Sequence, residues 1–203
     1  MNVALIGATG RAGAAILAEL LSRGHRATAI SRNVDTTGLP FGVPVRNADI
    51  FHTDDLAAAL RGHDAVISAA WFWPGSSEPL VAGIAASGVN RALFVGGASS
   101  LLADDGRQLV DVLDMPCDWM DTIREGVHLL DVLRQGAGFD WTFISPPLEI
   151  EVGPRVGTYR TDPNHLVVNR EGRSTISFAD YAIAMVDALE NGSAIRDRFG
   201  VGY

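Results

Sequence analysis

Residues Gly7-Ala8-Thr9-Gly10-Arg11-Ala12-Gly13 set three glycines three positions apart, directly after the apolar run Val3-Ala4-Leu5-Ile6 and directly before a helical pattern. Strand, glycine turn and helix in that order make an anion-binding arrangement. Each glycine has its own reason. Gly7 permits a tight turn, Gly10 lets the backbone approach a pyrophosphate with no Cβ in the way, and Gly13 allows the helix to lie close on the strand. The N–H groups at the helix start, with the helix dipole behind them, then hold the anion.

A second chemical marker stands at the end of the next apolar run, Ile30-Ser31-Arg32. In this arrangement an acid at that point binds a ribose 2′-hydroxyl and repels a 2′-phosphate, whereas a guanidinium grips the phosphate in bidentate fashion or stacks on adenine. Arg32 therefore favours NADP(H) over NAD(H), and Arg11, inside the glycine loop, can lean over the same phosphate.

All sixteen positive charges are arginine. With no lysine, the chain has no Schiff-base chemistry, no phosphate-loop lysine and no tyrosine–lysine acid pair, because arginine does not release a proton near neutral pH. Net charge is −8 with the arginines scattered, so neither nucleic acid nor an anionic membrane is an expected partner. Cys117 stands alone, which forbids an internal disulfide or a Cys-rich zinc site and fits a reducing compartment. No metal site is expected. The first apolar run is too short for a signal core, and no run approaches the roughly 18 apolar residues of a membrane span. The expectation is a soluble cytoplasmic protein.

The elements that must position these groups follow from periodicity. Residues 12–22 place Ile16, Leu17, Leu20 and Leu21 at helical spacing, and Gly24 is the stop signal. A strand is expected over 27–30, a short one near Val45, a helix over 54–60 capped by Thr53, and a strand over 65–67. Then come a helix over 80–86, a strand over 92–95, a helix over about 120–134 and a strand over 141–145. From Pro146 the chain is expected to be irregular as far as residues 174–176. Ser177 and Asp180 have capping-box spacing for a helix through Ala182, Met185, Val186 and Leu189, which Asn191-Gly192 ends. Residues 199–203 could add an edge strand. The fold class is α/β: a Rossmann-type, doubly wound, mostly parallel sheet with helices on both faces and a small C-terminal extension. One NAD(P)-binding unit spans 1–203, with 146–203 completing the substrate side.

The glycine loop, Asn47-Ala48-Asp49-Ile50, residues 64–70, LFVGGASSL, DWTFISPP, STISFADYA and the closing RFGVGY run through nearly the whole chain. Together they resemble the atypical short-chain dehydrogenase/reductase family, in its small NAD(P)H-binding, NADH–flavin reductase-like group. That group is akin to the biliverdin IXβ/flavin reductases and the NmrA-like proteins. The resemblance implies that Asp49 and Ile50 border the adenine, that Ala69 and Ala70 line the path to the nicotinamide, and that Ser99 sits beside it. Thr9, Ala12 and Pro146 join the implied cofactor contacts. Typical members carry a tyrosine and, four residues on, a lysine in the helix after the fifth strand; here that helix has neither.

Alcohol–ketone chemistry by the usual route is thus disfavoured, and hydride transfer to a flavin or quinone remains, since it needs the two rings held face to face rather than a proton relay. FMN or FAD would then be a substrate and not a prosthetic group. Trp71-Phe72-Trp73-Pro74 follows the fourth strand, at the carboxyl end where such sheets bind ligands. These rings either stack on an aromatic acceptor or pack as core or a dimer contact; Met115 and Trp119 can complete the same pocket. Ser99 is the hydrogen-bond donor available near the acceptor. Arg124 and His128 lie four apart on one helix face, and His128 is a candidate proton donor or a solvated histidine. The leading expectation is an NADPH-dependent reductase of flavin-like or quinone-like acceptors, monomeric or homodimeric. The alternative is a non-catalytic NADP-binding, redox-sensing regulator.

Overall fold

The computed structural model describes residues 1–32, 38–103, 105–114 and 117–203. Its elements run β1 (Asn2–Ile6), α1 (Arg11–Ser22), β2 (Arg26–Ser31), β3 (Val45–Asn47), α2 (Thr53–Leu60), β4 (Ala65–Ser68), α3 (Ser77–Ser87) and β5 (Arg91–Val95). A 3-10 turn (Ala98–Ser100), the short α4 (Leu109–Val112) and a second 3-10 turn (Cys117–Trp119) lead into α5 (Met120–Gly136). β6 (Asp140–Ser145), β7 (Glu149–Glu151), β8 (Arg160–Asp162), β9 (Thr175–Ser177), α6 (Phe178–Asn191) and β10 (Asp197–Gly202) complete the order.

Eight strands join in the order β3-β2-β1-β4-β5-β6-β10-β8. All pair in parallel except β8, which is antiparallel to β10. The chain winds outward from β1 in one direction and then, from β4, in the other. Such a reversal opens a crevice at the carboxyl ends of β1 and β4. The sheet is covered on both faces. On one, Leu56, Leu80, Ile84, Phe94, Leu130 and Phe143 pack beneath α2, α3 and α5. On the other, Leu5, Ile16, Ile67, Tyr181 and Met185 pack beneath α1 and α6. Burying each such side chain is worth about 1.5–3 kcal/mol. The phenol of Tyr181 is fully buried and donates to the Ile144 carbonyl at 2.6 Å, so its polar end costs little.

α1 and α6 are locked side by side by charge. Glu19, buried in α1, receives Arg23 at 2.8 Å and Arg155 at 3.0 Å, and Arg23 reaches Asp187 and Glu190 of α6 at 2.7 Å each. These pairs join the last turns of the two helices; at their first residues the Arg11 guanidinium lies 5.5 Å above the Phe178 ring.

Three expectations need correction. Thr53 does not cap α2: the helix already includes it, and His52 occupies the cap position without a side-chain capping bond. The stretch after Pro146 is not wholly irregular, for β7 pairs in parallel with β9 and β8 joins the main sheet. The closing segment is no edge strand. β10 lies between β6 and β8, and its glycines fit because a Cβ on Gly200 would stand 2.9 Å from the His165 carbonyl oxygen. Among the described residues, no helix is long and apolar enough to cross a membrane.

Candidate active site

At the carboxyl end of β1 the glycine loop does what its spacing demands. Gly7 has φ +79°, and a Cβ there would sit 2.5 Å from the Ala69 carbonyl oxygen. At Gly13 a Cβ would come within 2.0 Å of the Gly7 carbonyl oxygen, so only glycine lets α1 descend onto the loop. Gly10 differs: a Cβ would meet nothing closer than the Gly7 carbonyl oxygen at 3.4 Å. Packing within the chain therefore does not demand glycine there. Gly10 caps α1 without any side-chain bond, leaving the first-turn N–H groups to an anion. These observations fit a dinucleotide pyrophosphate.

The loop opens into a cavity of about 560 Å³. Gly7, Thr9, Gly10, Arg11, Ala12 and Gly13 line its near side, and Arg32, Ala48 and Ile50 line one end. Ala69, Ala70, Ser99 and Pro146 line the middle, and Trp71, Trp73 and Trp119 the other end. Ser99 lies in the 3-10 turn after β5, buried, beside Ser100, whose hydroxyl lies 3.1 Å from that of Ser145. Trp71 and Trp119 meet edge to face, with centroids 5.8 Å apart and planes at 67°. The 71–75 loop is tied to α5 by Glu125, whose carboxylate accepts from the Gly75 N–H at 3.0 Å. Phe72 presses onto the same helix where Gly126 leaves room, since a Cβ there would lie 2.9 Å from the ring.

Two expected residues lie elsewhere. Asp49 is not part of the lining: its carboxylate turns back to accept from the Phe51 N–H at 3.1 Å, and its neighbours Ala48 and Ile50 line the cavity instead. His128 is likewise outside it, exposed on the outer side of α5 with Nε2 2.6 Å from Glu78 Oε1. That carboxylate raises the imidazole above its ordinary pKa, outweighing the opposing effect of burial; its partner is Glu78 rather than Arg124. Met115 lies outside the described residues.

Phe72, a ring of the expected aromatic run, lines the cavity; sequence reasoning missed Phe178, Ile150 and the α5 residues Thr122, Ile123 and Gly126, which line it too. Gly126 was the one available signal, a glycine inside a long helix with no local reason to be there. The chemistry of the lining is narrow. Among its described residues only Arg11 and Arg32 are charged, and none is Asp, Glu, His, Cys, Tyr or Lys. Among the described residues no three His, Cys, Asp or Glu side chains gather as metal ligands would.

The comparisons agree with this geometry. A family model described as NAD(P)H-binding matches residues 7–192. Three solved structures are similar along the whole chain. A proposed exported protein of Burkholderia pseudomallei is 38% identical, with all of both chains covered and a TM-score of 0.88. A proposed epimerase of Bacteroides thetaiotaomicron is 34% identical, with 100% of this chain and 96% of that one covered and a TM-score of 0.92. A proposed NADH-flavin reductase of Streptococcus pneumoniae TIGR4 is 33% identical, with 100% and 99% covered and a TM-score of 0.83.

Proposed function

The chain belongs to the NAD(P)H-binding family, and from that premise we propose that it is an NADPH-dependent reductase of flat, flavin-like or quinone-like acceptors. The observation that carries this reading is the lining itself. One cavity joins the glycine loop to an aromatic wall, and its described residues offer no side chain that exchanges a proton near neutral pH. An epimerase or a carbonyl reductase of the usual kind needs such a group. A flavin or quinone does not, because its reduced form takes its proton from water.

A reduced nicotinamide held there would supply the hydride, that is, two electrons with one proton. The chain's own residues do the rest. The first turn of α1 holds the pyrophosphate, and Arg32 with Arg11 holds the 2′-phosphate, which favours NADP(H) over NAD(H). Ala69 and Ala70 give the nicotinamide a flat, uncrowded floor. Ser99 supplies a hydroxyl donor at the reacting end. Trp71, Trp73 and Trp119 exclude water and offer faces to the acceptor. The similarity to the proposed NADH-flavin reductase supports the acceptor class.

NADPH consumption followed by its absorbance, with FMN, riboflavin or a quinone added, tests the reading. Turnover above background with at least one acceptor is expected, and Arg32→Asp should shift preference from NADPH toward NADH by tenfold or more. Tight NADP binding with no acceleration by any acceptor would overturn the reductase reading and leave the cofactor-sensing regulator.

A further inference from the structure

Charge is unevenly distributed along the cavity. Its two cationic lining residues, Arg11 and Arg32, stand at the glycine-loop end. At the aromatic end the lining is uncharged, and the chain on either side of Trp119 is acidic. Residues 117–124, which carry Trp119 and the cavity-lining Thr122 and Ile123, contain Asp118 and Asp121 against Arg124, and all three are exposed. The positive end of α5, which would otherwise attract a phosphate, has Asp121 in its first turn. Trp71 and Trp119 are each about half exposed at this mouth, 49% and 54%. They present indole surface with no cation beside it in the lining.

Taking the reductase reading as its basis, we infer that the acceptor end binds an uncharged planar ring and rejects phosphorylated forms of the same ring. Riboflavin and simple quinones have the required chemistry. FMN and FAD bring phosphate to an end whose lining holds no cation and whose Trp119 is flanked in sequence by the exposed Asp118 and Asp121, where like charges repel. The cofactor's own phosphates are spared this repulsion because they lie at the arginine end. The same cavity thus separates its two ligands by charge: the anionic one to the glycine loop, the neutral one to the tryptophans.

The test is binding, measured apart from turnover. Riboflavin, FMN and menadione are titrated into the NADP⁺-saturated protein, following flavin or tryptophan fluorescence. At low salt riboflavin should bind at least tenfold tighter than FMN, and the gap should shrink in high salt as these carboxylates are screened. The double variant Asp118→Arg/Asp121→Arg should narrow the gap as well, while Trp119→Ala should weaken riboflavin and FMN together by about fivefold or more. FMN binding as tightly as riboflavin, or a gap unmoved by both salt and charge reversal, would overturn the inference, as would failure of all three to bind. Selective riboflavin or menadione binding without NADPH consumption would instead sink the reductase reading and leave the charge selection standing.

Discussion

Glu125 of α5 caps a helix other than its own: its Oε1 accepts the Ser77 hydroxyl at 2.6 Å and the Ser77 N–H at 2.9 Å, at the start of α3. Ser76, at the cap position of α3, makes no side-chain capping bond. A carboxylate from a neighbouring helix therefore meets the free N–H groups and the positive end of the dipole. Since the same carboxylate also takes the Gly75 N–H, it fixes the loop that carries Trp71, Phe72 and Trp73.

Removing it should separate the two halves of the cavity. Glu125→Ala is expected to cost about 1–3 kcal/mol, because buried donors lose their partner, measured by urea unfolding. It should raise the acceptor KM several-fold while NADP affinity changes less than twofold. Burial pushes this carboxyl up, but the bonds from Ser77 and Gly75 and the charge of His128 outweigh it, leaving the pKa below the ordinary 4.5. Its contribution is present above that value and is lost as pH falls through the lower, folded one.

The glycine loop offers a paired test. Gly13→Ala forces a Cβ against the Gly7 carbonyl oxygen and should cost about 1–3 kcal/mol of stability or more by overpacking. Gly10→Ala has room at 3.4 Å and an ordinary extended backbone at φ −72°, so stability should stay within about 0.5 kcal/mol. NADP affinity should nevertheless drop tenfold or more. Calorimetry of both variants decides the matter: equal loss of stability would show that Gly10 serves packing only.

Asp180 does more than donate its N–H to the capping Ser177 hydroxyl at 3.1 Å; the Ser177 N–H itself goes to the Tyr203 hydroxyl at 3.2 Å. Fully buried, Asp180 accepts the N–H groups of Val156 at 3.0 Å and Gly157 at 2.8 Å, together with the Tyr203 hydroxyl. It thereby fastens the 153–157 loop and the last residue to α6. Burial raises its pKa, and these bonds, Tyr203 first, bring it below the ordinary 3.8. Asp180→Asn should cost about 1.5–3 kcal/mol near neutrality. Its stability should also fall less steeply than the native protein's as pH drops below about 4, since the native carboxylate is being protonated there. Unchanged acid unfolding would refute this role.

His128 and Ser99 part company. With the imidazole turned to Glu78 outside the cavity, His128→Ala should change kcat less than twofold. Ser99→Ala, at the reacting end, should lower kcat about tenfold if its hydroxyl stabilises charge on the acceptor, the scale of one lost charge-assisted bond. Steady-state rates with one acceptor settle both.

The amino-acid sequence alone determined the β1–loop–α1 unit, the parallel doubly wound sheet and the glycine loop that lines one side of the cavity. Those features rest on short-range rules: glycine at a left-handed turn, glycine where helix meets strand, and apolar residues at the period of each element. Tertiary structure decided the rest. β10 was hard to read because Gly200 and Gly202 weaken a strand pattern, and their reason is the close approach of His165 and Val167 from a distant segment. Phe178 lines the cavity because α1 and α6 pack side by side, and Asp49 leaves it because a local turn captures its carboxylate. Glu125 meets Ser77 across 48 positions of chain. No periodicity encodes such pairings, which arise only when helices from separate crossovers settle on one face of the sheet.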